Sequence, residues 1–179
     1  MEKIKFLFPL FLFVLLIIFF WRGMQTDPHT IPSPLIGKST PSFQLPSVFD
    51  SKKIIDESIF LRHVSVLNVF ATWCISCHAE HFLLMDFHQH YPSVQLIGLA
   101  FRDKKSDVVN YLKKAGNPFN TVIDDANGKV GIDFGVYGTP ETFVIDQQGI
   151  IRDKITGPVS AEILKDELLP LIQKLQRAG

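Results

Sequence analysis

An α/β fold built on a sheet covered on both faces is predicted by three features of the sequence. Residues 64–71 (VSVLNVFA) are nearly all apolar and rich in β-branched side chains, and residues 94–101 (VQLIGLAF) repeat that character. Such runs fit strands buried on both sides, not strands with one wet face. Helical spacing takes over elsewhere: between 161 and 176, Ile163, Leu164, Leu168, Leu171, Ile172 and Leu175 fall on one face. Strands alternating with helices imply helices layered on a sheet.

The elements follow in chain order. Residues 6–21 form 16 consecutive positions without a charge, Ile4 extends the run, and Lys5 is long enough to snorkel. Lys3 and Lys5 precede it and Arg22 follows, a modest positive-inside signal. The exit, Phe19-Phe20-Trp21-Arg22-Gly23-Met24, lacks the small residues of a cleavage site up to Arg22. An uncleaved signal-anchor over residues 1–22 is therefore expected, with a cleaved signal as the alternative. Either places the remainder outside the cytoplasm. Residues 23–38 hold Pro28, Pro32 and Pro34 without apolar periodicity and are expected to be a spacer. The domain is expected over residues 39–179.

Within it, the run 64–71 is expected to be a central strand, followed by a helix over 75–91, the strand 94–101, and a helix over 106–114. Val108, Val109 and Leu112 share one side of that last helix, with Ser106 or Asp107 as its cap. Residues 121–123 are expected to be extended. Residues 141–146 and 150–156 flank Gln147-Gln148-Gly149 as a hairpin would. The final helix spans 161–176, capped by Ser160.

Composition narrows the function. The 179 residues carry 18 basic and 18 acidic side chains, a formal net charge of zero, which argues against a nucleic-acid binder. Without residues 1–22 the chain keeps 15 basic and 17 acidic groups, a net charge of −2, ordinary for a soluble domain. Apolar content of 46% excludes extensive disorder. Two cysteines are too few for a disulfide framework or a four-thiolate metal site.

Those cysteines, Cys74 and Cys77, leave the end of a buried strand in Ala71-Thr72-Trp73-Cys74-Ile75-Ser76-Cys77. A Cys at that place enters the first turn of a helix, where free N–H groups and the positive end of the dipole favour a thiolate. Only a thiolate attacks a disulfide. Cys74, nearer the exposed strand end, is expected to attack; Cys77, one turn in and more buried, is expected to complete the exchange. Four other readings use the same residues. Zinc would take Cys74, Cys77, His78 and His81, although structural zinc pairs come from separate segments. Cys74-Ile75-Ser76-Cys77-His78 matches a c-type haem attachment. A structural disulfide closes too small a loop to stabilise much. A copper-binding module is the fourth.

A second constellation lies just before a strand: Gly135-Val136-Tyr137-Gly138-Thr139-Pro140-Glu141-Thr142-Phe143. Thr139-Pro140 at a strand start suits a cis bond in a tight turn, where an extended peptide can pair with the neighbouring backbone. The competing reading is a plain trans loop proline, which frequency alone favours.

The strand–Trp-Cys-x-x-Cys–helix unit, followed about 65 residues later by Thr-Pro before a strand and hairpin, is similar to the thioredoxin superfamily. More closely, residues 68–81 (NVFATWCISCHAEH) and 135–143 (GVYGTPETF) resemble the membrane-anchored DsbE/CcmG-type thiol:disulfide proteins of cytochrome c biogenesis. Residues 41–46 (PSFQLP) and the N-terminal anchor fit as well.

The resemblance implies a thioredoxin-like fold, a central mixed sheet flanked by helices, on an N-terminal transmembrane anchor. It implies a single-pass protein of a bacterial inner membrane with its domain in the periplasm. There it would be a disulfide reductase that keeps the haem-binding cysteines of apocytochrome c reduced and receives electrons from a membrane thiol transporter. It implies Cys74 and Cys77 as the attacking and resolving cysteines, cycling through a Cys74–Cys77 disulfide with no other cofactor and no metal. Pro140, with Thr139, is the substrate-side proline, and Glu80 and Glu141 are the active-site acids. A monomer without nucleic-acid partners is expected.

Two departures stand out. Many relatives place a proline between the cysteines, where this chain has Ile75-Ser76. Asn68 stands where cytosolic thioredoxins carry a buried aspartate, so proton transfer passes to Glu80. An acid near a thiolate raises the thiol pKa and makes the reduced form a readier donor. On their own, Glu80 and Glu141 also read as a solvated acid in the first helical turns and an exposed charge at a strand start. His78, His81, His88 and His90 are expected at the surface or rim, and Trp73 as a partly exposed lid. A metal- or haem-handling chaperone, a general periplasmic reductase and an isomerase are the other functional classes.

Overall fold

The computed structural model describes residues 2–24 and 34–178, with side chains of the first helix described over 8–22. The chain divides into two units, residues 1–31 and 32–179.

In the first unit, α1 spans Glu2–Met24. Its described side chains are exposed throughout and, up to Trp21, uncharged. Among the described residues no helix is long and apolar enough to cross a membrane. Residues 25–33 of the expected spacer lie outside the described residues.

In the second unit, the domain starts earlier than the expected Ser39. Leu35 packs against the core. The Gly37 amide donates to Ile151 O at 2.7 Å and the Ile151 amide to Lys38 O at 2.9 Å. Gly37 sits at φ +81°, a turn conformation that costs glycine little. A two-stranded hairpin follows, β1 (Gln44–Pro46) paired with β2 (Ile54–Asp56), which the sequence reading missed. Strands of three residues are too short to show a period.

The main sheet has β3 (Ser65–Phe70), β4 (Gln95–Phe101), β5 (Thr121–Asp125), β6 (Glu141–Ile145) and β7 (Ile151–Thr156), in the order β5-β4-β3-β6-β7. β3, β4 and β5 run parallel, and β6 and β7 run antiparallel to their neighbours. The expected hairpin is therefore present: Asp146 Oδ1 accepts the Gln148 and Ile150 amides at 2.9 Å each and shapes its turn. The helices are α2 (Ile75–His90), α3 (Lys105–Ala115), α4 (Lys129–Asp133), α5 (Ala161–Ile163) and α6 (Leu169–Ala178).

Two details differ from expectation. Ser106 and Asp107 lie inside α3; the Lys104 amide before it binds Asp103 Oδ1 at 2.7 Å instead. The expected final helix is interrupted by a π turn, Leu164–Leu168. Pro170 just beyond has no amide to give, and a wider turn accommodates that gap. Ser160 caps α5 as expected, accepting the Ile163 amide at 3.2 Å.

Alternation along the central strands creates two cores. Val66 and Phe70 of β3 with Leu96 and Ala100 of β4 belong to the core that includes Leu84 and Phe87 of α2 and Ile172 of α6. Leu67, Val69, Ile97 and Leu99 belong to the other, with Ile55 of β2 and Val130 of α4. Gly98 of β4 makes room for a stacked pair, Phe70 and Phe119, at 5.0 Å. A Cβ there would stand 2.9 Å from carbons of both rings. Gly98→Val is expected to lose about 1–3 kcal/mol of stability by overpacking. Urea denaturation reads this, and an unchanged midpoint would contradict that ring packing.

Candidate active site

The topology brings two distant segments to one edge. β3 ends at Phe70 and the chain turns into α2, with Cys74 as its N-cap. β6 runs antiparallel beside β3, with Glu141 opposite Val69, so its start lies at the same edge as the end of β3. The Thr139-Pro140 bond just before β6 is cis. Thr139 O lies 3.4 Å from Cys74 Sγ.

Cys74 and Cys77 form a disulfide with Cα atoms 5.3 Å apart. The Cys77 amide donates to Cys74 Sγ at 3.1 Å. That amide is one of the free N–H groups of the helix start, and it stabilises negative charge on Cys74 when the pair is reduced. Exposure does not separate the two: Cys74 is 6% exposed and Cys77 5%, against the expectation of a clear difference. The hydrogen bond separates them instead.

The turn presenting Cys74 is held from the β4 side. The Thr72 amide donates to Asp103 Oδ2 at 2.5 Å, and His78 Nε2 lies 2.9 Å from Thr72 O. Trp73 is 60% exposed, as expected of a lid, and its Nε1–H donates to Arg102 O at 3.3 Å. A groove of about 720 Å3 lies along this side, lined by Trp73, Arg102 and Lys104 among others. A smaller one of about 310 Å3 includes Tyr137, Thr139 and Pro140.

The two acids are both buried, which overturns the solvated readings, and they occupy opposite faces of the sheet. Glu80 is 1% exposed on the α2 side. Its Oε1 accepts from Asn68 Nδ2 at 2.8 Å and its Oε2 from the Val159 amide at 2.7 Å. Burial pushes its pKa up to about 7, with the Val159 and Asn68 bonds pulling the other way. Glu141 is wholly buried and faces Lys154, whose Nζ lies 2.9 Å from Oε2. The Tyr137 amide donates to Glu141 Oε1 at 3.1 Å. Sequence reasoning did not single out Lys154 or Asp103. Asp103 reads as a charge just past a strand end and Lys154 as a charge within an edge strand, and both are common on surfaces.

His78 and His90 are exposed and His88 is half-buried, but His81 is buried, contrary to expectation. Its Nε2 lies 3.1 Å from Gly116 O and its ring meets the edge of Tyr111. Burial lowers its pKa, favouring the neutral ring. His78 stacks on the same tyrosine at 4.8 Å. His78 and His81 thus bind different carbonyls.

A buried strand, a cysteine pair at a helix start and a facing cis-proline loop define a thiol–disulfide oxidoreductase of thioredoxin-like fold. The sequence matches the Redoxin family over residues 35–168. Thiol:disulfide interchange protein DsbE of Allochromatium vinosum is 39% identical over 170 residues, spanning 95% of this chain and 93% of that one. The DsbE of Pseudomonas aeruginosa is 39% identical over 175 residues, spanning 98% and 96%. A solved structure of a putative DsbE from Chlorobium tepidum superposes with a TM-score of 0.67 at 25% identity, covering 76% of this chain and 97% of that one. The chain belongs to the Redoxin family, among its DsbE-type thiol:disulfide interchange proteins.

Proposed function

We propose that this protein is a membrane-tethered disulfide reductase that keeps the haem-binding cysteines of apocytochrome c reduced, working as a monomer in the periplasm of a bacterium. The Cys74 thiolate attacks one sulfur of the target disulfide; a mixed disulfide forms and the other target sulfur leaves as a thiolate. Cys77 then attacks Cys74 Sγ, the second target sulfur leaves, and the Cys74–Cys77 disulfide remains. Two electrons have passed to the target. A dithiol of a membrane thiol transporter restores the pair. The target peptide lies along the backbone at Thr139 and Pro140, as an added strand would.

The observation that carries the reductive direction is the buried Glu80 carboxyl on Asn68, one turn beyond Cys77 on α2. When ionised, an acid there disfavours a thiolate, so the dithiol gives up electrons more readily than one whose thiolate is stabilised. The tether rests on the uncharged run 6–21 behind Lys3 and Lys5.

Trapping tests this. A Cys77→Ser protein, recovered from cells by way of Cys74, is expected in the membrane fraction carrying apocytochrome c, or another cytochrome c maturation component, as a mixed disulfide. A captive set of unrelated periplasmic proteins would replace the assignment with a general reductase. Recovery in the soluble fraction would remove the tether.

A further inference from the structure

We propose that Lys154 is a positioning residue of the exchange reaction, acting through the loop from Gly135 to Glu141 that faces Cys74. The Lys154 side chain is only 3% exposed, although it stands on β7 near the edge of the sheet. A buried ammonium gives up its hydration and persists where its surroundings replace it. Four groups do so. Nζ donates to Gly135 O at 2.7 Å and lies 2.9 Å from Glu141 Oε2. It also sits 4.7 Å from the Tyr137 ring centroid and 5.5 Å from that of Phe143.

Three of these four groups, Gly135, Tyr137 and Glu141, belong to the loop and its two ends. Gly135, at φ +68°, begins it, and Glu141 closes it at the first position of β6. Glu141 in turn accepts the Tyr137 amide, so one ammonium fixes both ends and the middle. Thr139, whose carbonyl meets Cys74 Sγ, lies inside this span. Tyr137 is 78% exposed, so the lysine holds from beneath a ring that faces solvent.

A buried ion pair is weak evidence for a role in stability, since apolar replacements are often as stable. Its contribution here is geometric. The loop offers a fixed main chain to an incoming peptide, and a mobile loop would offer it less often in the reactive arrangement. The other charged groups around the pair are bound elsewhere: Asp103 to the Thr72 and Lys104 amides, His78 to the Thr72 carbonyl, and Glu80 to Asn68 and the Val159 amide. None of them holds the loop.

The inference rests on the reading that substrate pairs with the loop backbone, and the test separates the two. The full-length reduced protein is reacted with two disulfides. One is an oxidised peptide containing Cys-x-x-Cys-His. The other is 5,5′-dithiobis(2-nitrobenzoate), which has no main chain to pair. The unaltered protein is expected to prefer the peptide. Lys154→Met is expected to slow the peptide reaction about tenfold and the small disulfide less than twofold, and Lys154→Arg to restore the peptide rate. Should Lys154→Met fail to fold, the double change Glu141→Gln with Lys154→Met removes both charges and is expected to show the same split. No peptide preference in the unaltered protein would defeat the backbone-pairing reading. A preference that survives Lys154→Met or the double change would overturn the role of Lys154. So would equal slowing of both disulfides.

Discussion

Cys74→Ser is expected to abolish disulfide exchange, lowering the rate by more than about a thousandfold, because the sulfur that accepts the Cys77 amide at the helix start is that of Cys74. Cys77→Ser is expected to behave differently. Its attack on a target disulfide proceeds through Cys74 and then stops, leaving a mixed disulfide. The difference arises in the geometry at the start of α2. Cys74 is the N-cap, and its sulfur accepts the Cys77 amide at 3.1 Å. Serine at position 77 keeps that amide, so the attacking thiolate keeps its stabilisation. What is lost is the second sulfur that displaces the target. Non-reducing gels with a disulfide peptide distinguish the variants: an adduct persists with Cys77→Ser and none forms with Cys74→Ser. Adducts formed equally well by both would remove the division of labour.

The second large effect concerns Glu80. Burial pushes its carboxyl pKa up to about 7, so one turn beyond Cys77 it can take up and release a proton near neutral pH. Glu80→Gln is expected to slow release of the mixed disulfide by about ten- to a hundredfold while the first attack by Cys74 changes less than twofold. Quenched-flow separation of the two steps reads this; equal slowing of both would end the proton-transfer role.

The same shift has a consequence for stability. The folded state favours the neutral acid, so the contribution of Glu80 is complete below its ordinary pKa of 4.5 and is lost as pH rises through about 7. The size is about 3 kcal/mol. Between pH 5 and 8 the unaltered protein is expected to lose about that much more stability than Glu80→Gln. Glutamine matches glutamate in size, and a flip of the Asn68 amide, whose Oδ1 has no hydrogen-bond partner among the described residues, would turn that oxygen toward the new NH2.

Much of the domain was legible because its signals are local. The apolar runs at 64–71 and 94–101 became β3 and β4, and the hairpin after Pro140 formed around its Asp146 turn. The cysteine pair was legible because a strand, a short turn and a helix are adjacent in sequence. What escaped depends on partners far away. Glu80 is buried because Asn68, 12 positions before it, and Val159, 79 after it, complete its bonds. Glu141 is buried because Lys154 arrives from the next strand. His81 is buried because Gly116 and Tyr111, beyond β4, offer it a carbonyl and a ring. The two acids were read as one group, yet strand alternation sends Glu80's partner Asn68 to one face and Glu141 to the other. The short β1, β2 and α4 are held by packing and carry no periodic signature.

The division of labour between the sulfurs supports every step described for this protein. Brief alkylation of the fully reduced protein with iodoacetamide at neutral pH, followed by peptide mass spectrometry, measures it directly. Position 74 is expected to be modified at least about tenfold faster than position 77, since only its thiolate is stabilised by the helix start. Equal labelling, or faster labelling of Cys77, would contradict the assignment.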